Sequence, residues 1–159
     1  MIEIIQADLN NPAHGDALLK LLNAYAKDPM GGGEPLSEYT LNKLVPSLQQ
    51  RSDVVVVLAF VNSQPVGLIN CFEGFSTFAC RPLLNIHDVT VLKPFRGMGI
   101  SSMMLQEVES IARQRGCCKL TLEVLQNNTI AQASYRKSGF APYQLDPEAG
   151  VALFWEKKL

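Results

Sequence analysis

Residues 89–108, VTVLKPFRGMGISSMMLQEV, run from alternating apolar positions through Lys93-Pro94 and a Gly-x-Gly pair into a segment with helical periodicity. A glycine-rich turn leading from a strand into a helix suits an anion. N–H groups at a helix N-terminus lack internal acceptors, the helix dipole is positive there, and glycines let a phosphate approach the backbone closely. Arg96 can add a charge-assisted hydrogen bond, while Ser101 and Ser102 keep the turn small and offer hydroxyl donors. Two phosphate loops do not fit. The dinucleotide fingerprint needs a third glycine where Ser102 stands, and it usually opens a domain, whereas this turn lies past the middle of the chain. A P-loop needs Gly-Lys-Ser/Thr, which neither this turn nor Gly31-Gly32-Gly33 supplies. The glycines also have a purely conformational reading, and that reading is compatible with ligand binding.

A second segment completes a pattern. Arg96, Gly99 and Ser101 fit Arg/Gln-x-x-Gly-x-Gly/Ala, with serine in place of the last small residue. Downstream, in LEVLQNNTIAQASYRKSGF, the residues Leu122, Glu123, Val124, Asn128, Ala131, Tyr135, Lys137, Gly139 and Phe140 fall at the spacing Leu-Glu-Val-x-x-x-Asn-x-x-Ala-x-x-x-Tyr-x-Lys-x-Gly-Phe without a gap. Together and in this order, the two segments resemble the acetyl-coenzyme A motifs of the GNAT superfamily of N-acetyltransferases. The resemblance in element order extends over nearly the whole chain, although residues 10–50 resemble the family only in outline.

The resemblance implies acetyl-coenzyme A as cosubstrate and direct transfer of the acetyl group to a primary amine in a ternary complex. Arg96, Gly97, Met98, Gly99, Ile100, Ser101 and Ser102 would then form the pyrophosphate cradle. In the family, the strand before the turn splays from its parallel neighbour, and its free backbone groups receive the thioester carbonyl and the pantetheine arm; here those groups belong to Val89, Thr90 and Val91. Tyr135 matches the general acid that protonates the departing thiolate, and Asn128 and Ala131 match pantetheine-contacting positions. Asn128 also reads as a helix cap, and Tyr135 as a core tyrosine at helical spacing.

The base is open. Many relatives carry a glutamate two residues before the carbonyl-binding position, where this chain has His87. An imidazole with an unperturbed pKa of about 6.5 can accept a proton directly or through water near neutral pH. Simple alternation along LNIHDVTV places His87, Val89 and Val91 on one face and Ile86, Asp88 and Thr90 on the other, pointing the competing carboxylate of Asp88 away. The acceptor side would border DPMGGGEPL, flanked by Tyr25, Tyr39, Asp28, Glu34 and Glu38, whose carboxylates would favour a cationic amine on a small molecule or peptide. FEGFSTFACRP, with three phenylalanines, is a second candidate wall or simply core filling. A non-catalytic acyl-coenzyme A sensor or protein-binding module on the same fold is the alternative, and O-acetyl or longer acyl transfer is compatible with the same motifs.

The elements that must position these residues can be read from periodicity. Met1–Asp8 alternates as a strand, and Pro12–Ala26 carries Leu18, Leu22 and Tyr25 at helical spacing. KDPMGGGEPLS cannot be regular structure, and Ser37 can cap a second helix reaching about Arg51. VVVVLAF (54–60) and VGLINCF (66–72) read as a hairpin, and Leu83–Leu92 as a further strand. A helix from about Gly99 to Arg115 groups Ile100, Met104, Val108 and Ile111 on one face and stops at Gly116. A strand over 119–125, a short helix capped at Asn127-Asn128, and strands at Ala141–Tyr143 and Val151–Glu156 around LDPEAG complete the order. The expected class is α/β: one domain over residues 1–159, with a central mixed sheet of six to seven strands flanked by about four helices.

Length and composition agree with a single packed domain, since a chain of 159 residues buries roughly 70% of the surface exposed when unfolded. A net charge of -1 argues against nucleic-acid binding through bulk electrostatics. No apolar run approaches the ~20 residues of a membrane span, and the N-terminus has no signal core, so no membrane association and a cytoplasmic location are expected. Cys71, Cys80, Cys117 and Cys118 lack Cys-x-x-Cys spacing, and His14 and His87 are far apart, so no metal site is expected. A homodimer is common in the family, but no heptad or isolated apolar stripe here argues for one.

Overall fold

A computed structural model describes all 159 residues. Contacts divide the chain into two compact units, Met1–Leu122 and Glu123–Leu159. In the first unit the strands are β1 (Ile2–Gln6), β2 (Val54–Val61), β3 (Gln64–Ser76), β4 (Arg81–Val91) and β5 (Leu120–Leu122), and the helices are α1 (Pro12–Lys27), α2 (Glu38–Gln49) and α3 (Ile100–Gln114). They form one mixed sheet in the order β1-β2-β3-β4-β5, antiparallel throughout except for the parallel pair β4–β5.

Local chemistry sets the helix ends. The Asn11 side chain accepts the Ala13 N–H ahead of Pro12, which occupies the first turn where its missing donor is harmless. Ser37 caps α2 by accepting the Thr40 N–H at 3.1 Å. The run of β-branched residues Val54–Val57 has little helix preference and is buried on both faces of β2.

Alternation divides the core into two layers. Leu18 and Leu21 of α1 and Leu48 of α2 pack with Val56, Leu58 and Leu68 on one face of the sheet. On the other face lies α3, whose Met104 reaches Gly67 so closely that a Cβ there would stand 2.9 Å from its terminal methyl. Each fully buried aliphatic side chain contributes about 1.5–3 kcal/mol relative to exposure. Leu18, Leu21, Leu58, Leu68, Ile69 and Met104 are all fully buried, so these two layers hold the sheet's central strands rigidly.

The second unit contains α4 (Thr129–Lys137), capped by Asn128, whose Oδ1 accepts the Ala131 N–H at 3.2 Å. Here the strand count is corrected. The sheet has five strands rather than six to seven, because Ala141–Tyr143 and Val151–Glu156 form no strand. Pro142 and Pro147 remove two donors, and LDPEAG closes as a 3-10 turn over Pro147–Ala149, with Asp146 accepting the Glu148 N–H. A backbone bond from Ala152 N–H to Tyr143 O, 3.1 Å, links the two segments without building a ladder.

Candidate active site

The β4 strand carries the first departure from simple alternation. Asp88 lies opposite Asn70 and Ile86 opposite Cys71, so His87 is an extra residue with no partner on β3. A bulge of this kind kinks the strand and shifts its side chains by one position. Before it, Ile86 shares the α3 face with its partner Cys71. After it, Asp88 and Thr90 share the α1/α2 face with Asn70 and Leu68, the latter part of the α1 core. His87 also faces α1/α2, with its ring perpendicular to that of Phe72 at 5.5 Å between centroids. The expected separation of His87 from Asp88 is thus overturned: both occupy one face, while Val89 and Val91 face α3. Arg51 covers Phe72, with its guanidinium carbon 5.4 Å from the ring centroid.

The bulge has a second effect. β5 pairs with β4 only at Leu84, Asn85 and Ile86, and the strand expected over 119–125 is confined to Leu120–Leu122. Beyond the kink, β4 continues to Val91 with no strand along its outer edge. Leu92 N–H donates to Val66 O at 2.8 Å, toward β3. Period two then turns the Thr90 peptide groups toward β3 and those of Val89 and Val91 outward. The outward Val91 carbonyl accepts Arg96 Nε–H at 2.9 Å.

The glycine turn follows directly. Gly97 and Gly99 have φ of 83° and 78°, a left-handed conformation that carries little penalty only for glycine, and neither would bring a Cβ within 4 Å of another atom. The first bond into α3 runs from Met103 N–H to Gly99 O, and no side chain caps the helix. The N–H groups of Ile100, Ser101 and Ser102 therefore lack intrahelical acceptors. Arg96 has structural duties that its sequence position did not reveal: besides Val91 O, it binds Asp28 Oδ2 at 3.2 Å. The Met30 N–H, together with Arg96, holds the Asp28 carboxyl below the usual carboxylate range. The turn is thereby tied to the end of α1.

Above the α1/α2 face, the Tyr25 phenol is pushed up by burial and then by the charges of Asp88 and Asp28. Beneath it, Asn70 Nδ2 donates to Asp88 Oδ2 at 3.0 Å. Asn70 was not anticipated as a site residue, although one amide inside the apolar run VGLINCF was a visible signal. Of the three phenylalanines in the proposed wall, Phe72 packs against the core, whereas Phe75 and Phe78 are exposed. Burial pushes the Cys71 thiol up to about 12 and raises that of Cys117.

The second unit brings its own candidates together. Asn128, Ala131 and Tyr135, spaced by three and four residues, fall along one side of α4. Tyr135 meets Phe140 edge to face at 6.0 Å, and the Phe140 N–H donates to Tyr135 O at 3.0 Å.

The first unit fits a coenzyme A pyrophosphate on its own geometry: a helix of four turns with an uncapped N-terminus, open space at both glycines, and an unpaired strand edge beside it. Over residues 17–140, the chain matches a family model described as Acetyltransferase (GNAT) family. It is similar to a streptothricin acetyltransferase of Streptomyces lavendulae, 37% identical over 75 residues; the match spans 47% of this chain and only 40% of that protein. A solved structure of a probable acetyltransferase has the same fold, with a TM-score of 0.81 at 21% identity over 98% of this chain and 99% of its own. AAC(6')-Iy in complex with the bisubstrate analogue CoA-S-monomethyl-acetylneamine has a TM-score of 0.76 at 18% identity, covering 100% and 99%. With the turn, the splayed strand and most of the chain's length in agreement, the chain belongs to the acetyltransferase (GNAT) family.

Proposed function

We propose that this protein is an acetyl-coenzyme A dependent N-acetyltransferase that passes the acetyl group directly to a primary amine. The observation that carries this reading is the pairing of an uncapped helix N-terminus behind two left-handed glycines with an unpaired edge on the preceding strand. The bound cosubstrate supplies an activated thioester. Ile100, Ser101 and Ser102 offer N–H groups for its pyrophosphate, with the Ser101 and Ser102 hydroxyls close by. Val89 offers an outward N–H to the acyl carbonyl, where a fixed donor is most effective as negative charge develops. His87 takes a proton from the acceptor nitrogen, and Tyr135 returns one to the departing sulfur, with Asn128 and Ala131 beside the pantetheine arm. Direct transfer is supported at Cys71, on the strand paired with β4: burial pushes its thiol up to about 12, which makes it a poor acyl carrier.

Isothermal titration with acetyl-coenzyme A and with coenzyme A, followed by thiol release on adding amines, tests the reading. Saturable binding and amine-dependent thiol release are expected. If neither ligand binds saturably, the reading is abandoned; if binding occurs without turnover of any amine, the chain is an acyl-coenzyme A sensor.

A further inference from the structure

Asn70 lies mid-strand in β3 between the fully buried Ile69 and Cys71, and it is itself only 4% exposed. An amide buried there is costly unless both of its ends are bonded, since one unmet acceptor costs about 1–3 kcal/mol. Its Nδ2 donates to Asp88 Oδ2, but its Oδ1 is buried with no hydrogen-bond partner. The amide cannot usefully turn over, because its carbonyl would then face the carboxylate. A leucine of similar volume would fill the place without the unmet carbonyl. What the asparagine adds over leucine is its bond to Asp88.

The bulge supplies the other half of the argument. Were His87 paired in a regular ladder, Asp88 would share the α3 face with Ile86; because His87 is left out of the pairing, Asp88 emerges half-buried on the α1/α2 face beside it. Nearby, Tyr25 stands in the last turns of α1, whose C-terminal dipole adds to the negative potential. Asp28 has the cation Arg96 as its counter-ion, whereas Asp88 takes its hydrogen bond from a neutral amide. Its charge is oriented without being neutralised, one residue from the free edge at Val89.

We propose that Asn70 is a positioning residue that holds the Asp88 carboxylate toward the acceptor, and that Asp88 binds the ammonium group of an aliphatic amine. This rests on the acetyltransferase reading and adds to it the residues that select the acceptor. Thiol-release kinetics near neutral pH, with butylamine, putrescine and lysine methyl ester as cationic probes and aniline as a neutral one, compare wild type with D88N and N70L. A charge-assisted hydrogen bond is worth enough that D88N should raise KM for the cationic probes about tenfold, leaving KM for acetyl-coenzyme A and for aniline unchanged. N70L should raise the same amine KM severalfold, with kcat less affected and the melting temperature no lower. D88N, at a half-buried position, carries the test by itself if N70L does not fold. An unchanged amine KM in D88N overturns the proposal, as does a parallel rise in KM for acetyl-coenzyme A. Calorimetry with coenzyme A separates the two levels. A protein that fails to bind it fails as an acetyltransferase, whereas one that binds it but uses none of the cationic probes fails only in this choice of acceptor.

Discussion

Replacing Tyr135 with phenylalanine removes one hydroxyl and leaves the ring against Phe140. If that hydroxyl protonates the departing thiolate, Y135F should lower kcat by about 10²-fold or more, within the ~10²–10⁴-fold range of general acid catalysis, and leave coenzyme A affinity nearly unchanged by calorimetry. Unaltered turnover would remove Tyr135 from the reaction. Residues at this scale were legible where a motif fixed their spacing, as at Asn128, which caps α4 through the Ala131 N–H. They were not legible where the partner is remote in sequence. Arg96 looks like a free phosphate ligand until Asp28, 68 positions away, is seen bound to it. Asn70 and Asp88 are 18 positions apart and meet only because two strands pair.

At the scale of elements, the glycine turn and α3 act as one unit. Gly99 occupies the left-handed region at the helix start with open space around it, so an alanine there meets backbone strain and no clash. G99A should destabilise the protein by about 1–2 kcal/mol, read from a denaturation midpoint, and should weaken coenzyme A binding because the N–H groups of Ile100 to Ser102 are displaced. Undiminished affinity in a destabilised G99A would separate the turn from the ligand. Most elements could be read from periodicity because each has one clearly buried stripe, as Ile100, Met104, Val108 and Ile111 do on α3. The strands expected after Phe140 failed for a different reason. Alternation in VALFWE specifies a strand only if a neighbouring edge accepts it, and prolines at 142 and 147 interrupt the partner segment.

Across the whole molecule, protection is distributed unevenly. Amide exchange should be slowest in β2 and β3, the most deeply buried strands, and fastest over 140–159, where backbone bonds are few and local. Deuterium uptake resolved by peptide checks this, and comparable protection in the two regions would contradict the description of the tail. The family and mixed-sheet class followed from motifs that lie in both units, but the way β4 serves the site could not be read from residue types, because nothing in LNIHDVTV marks where alternation breaks. That break makes the site depend on counting. Loss of the single residue at 87 would join Ile86 directly to Asp88 and restore regular pairing: Asp88 would keep its place opposite Asn70 and residues 89–91 their faces, but the imidazole would be gone and so would the kink that parts β4 from β5. Most point substitutions in β4 would change one group at a time, while deletion of this one codon would take away a proposed base and the kink behind the free edge together, with the sheet still able to form.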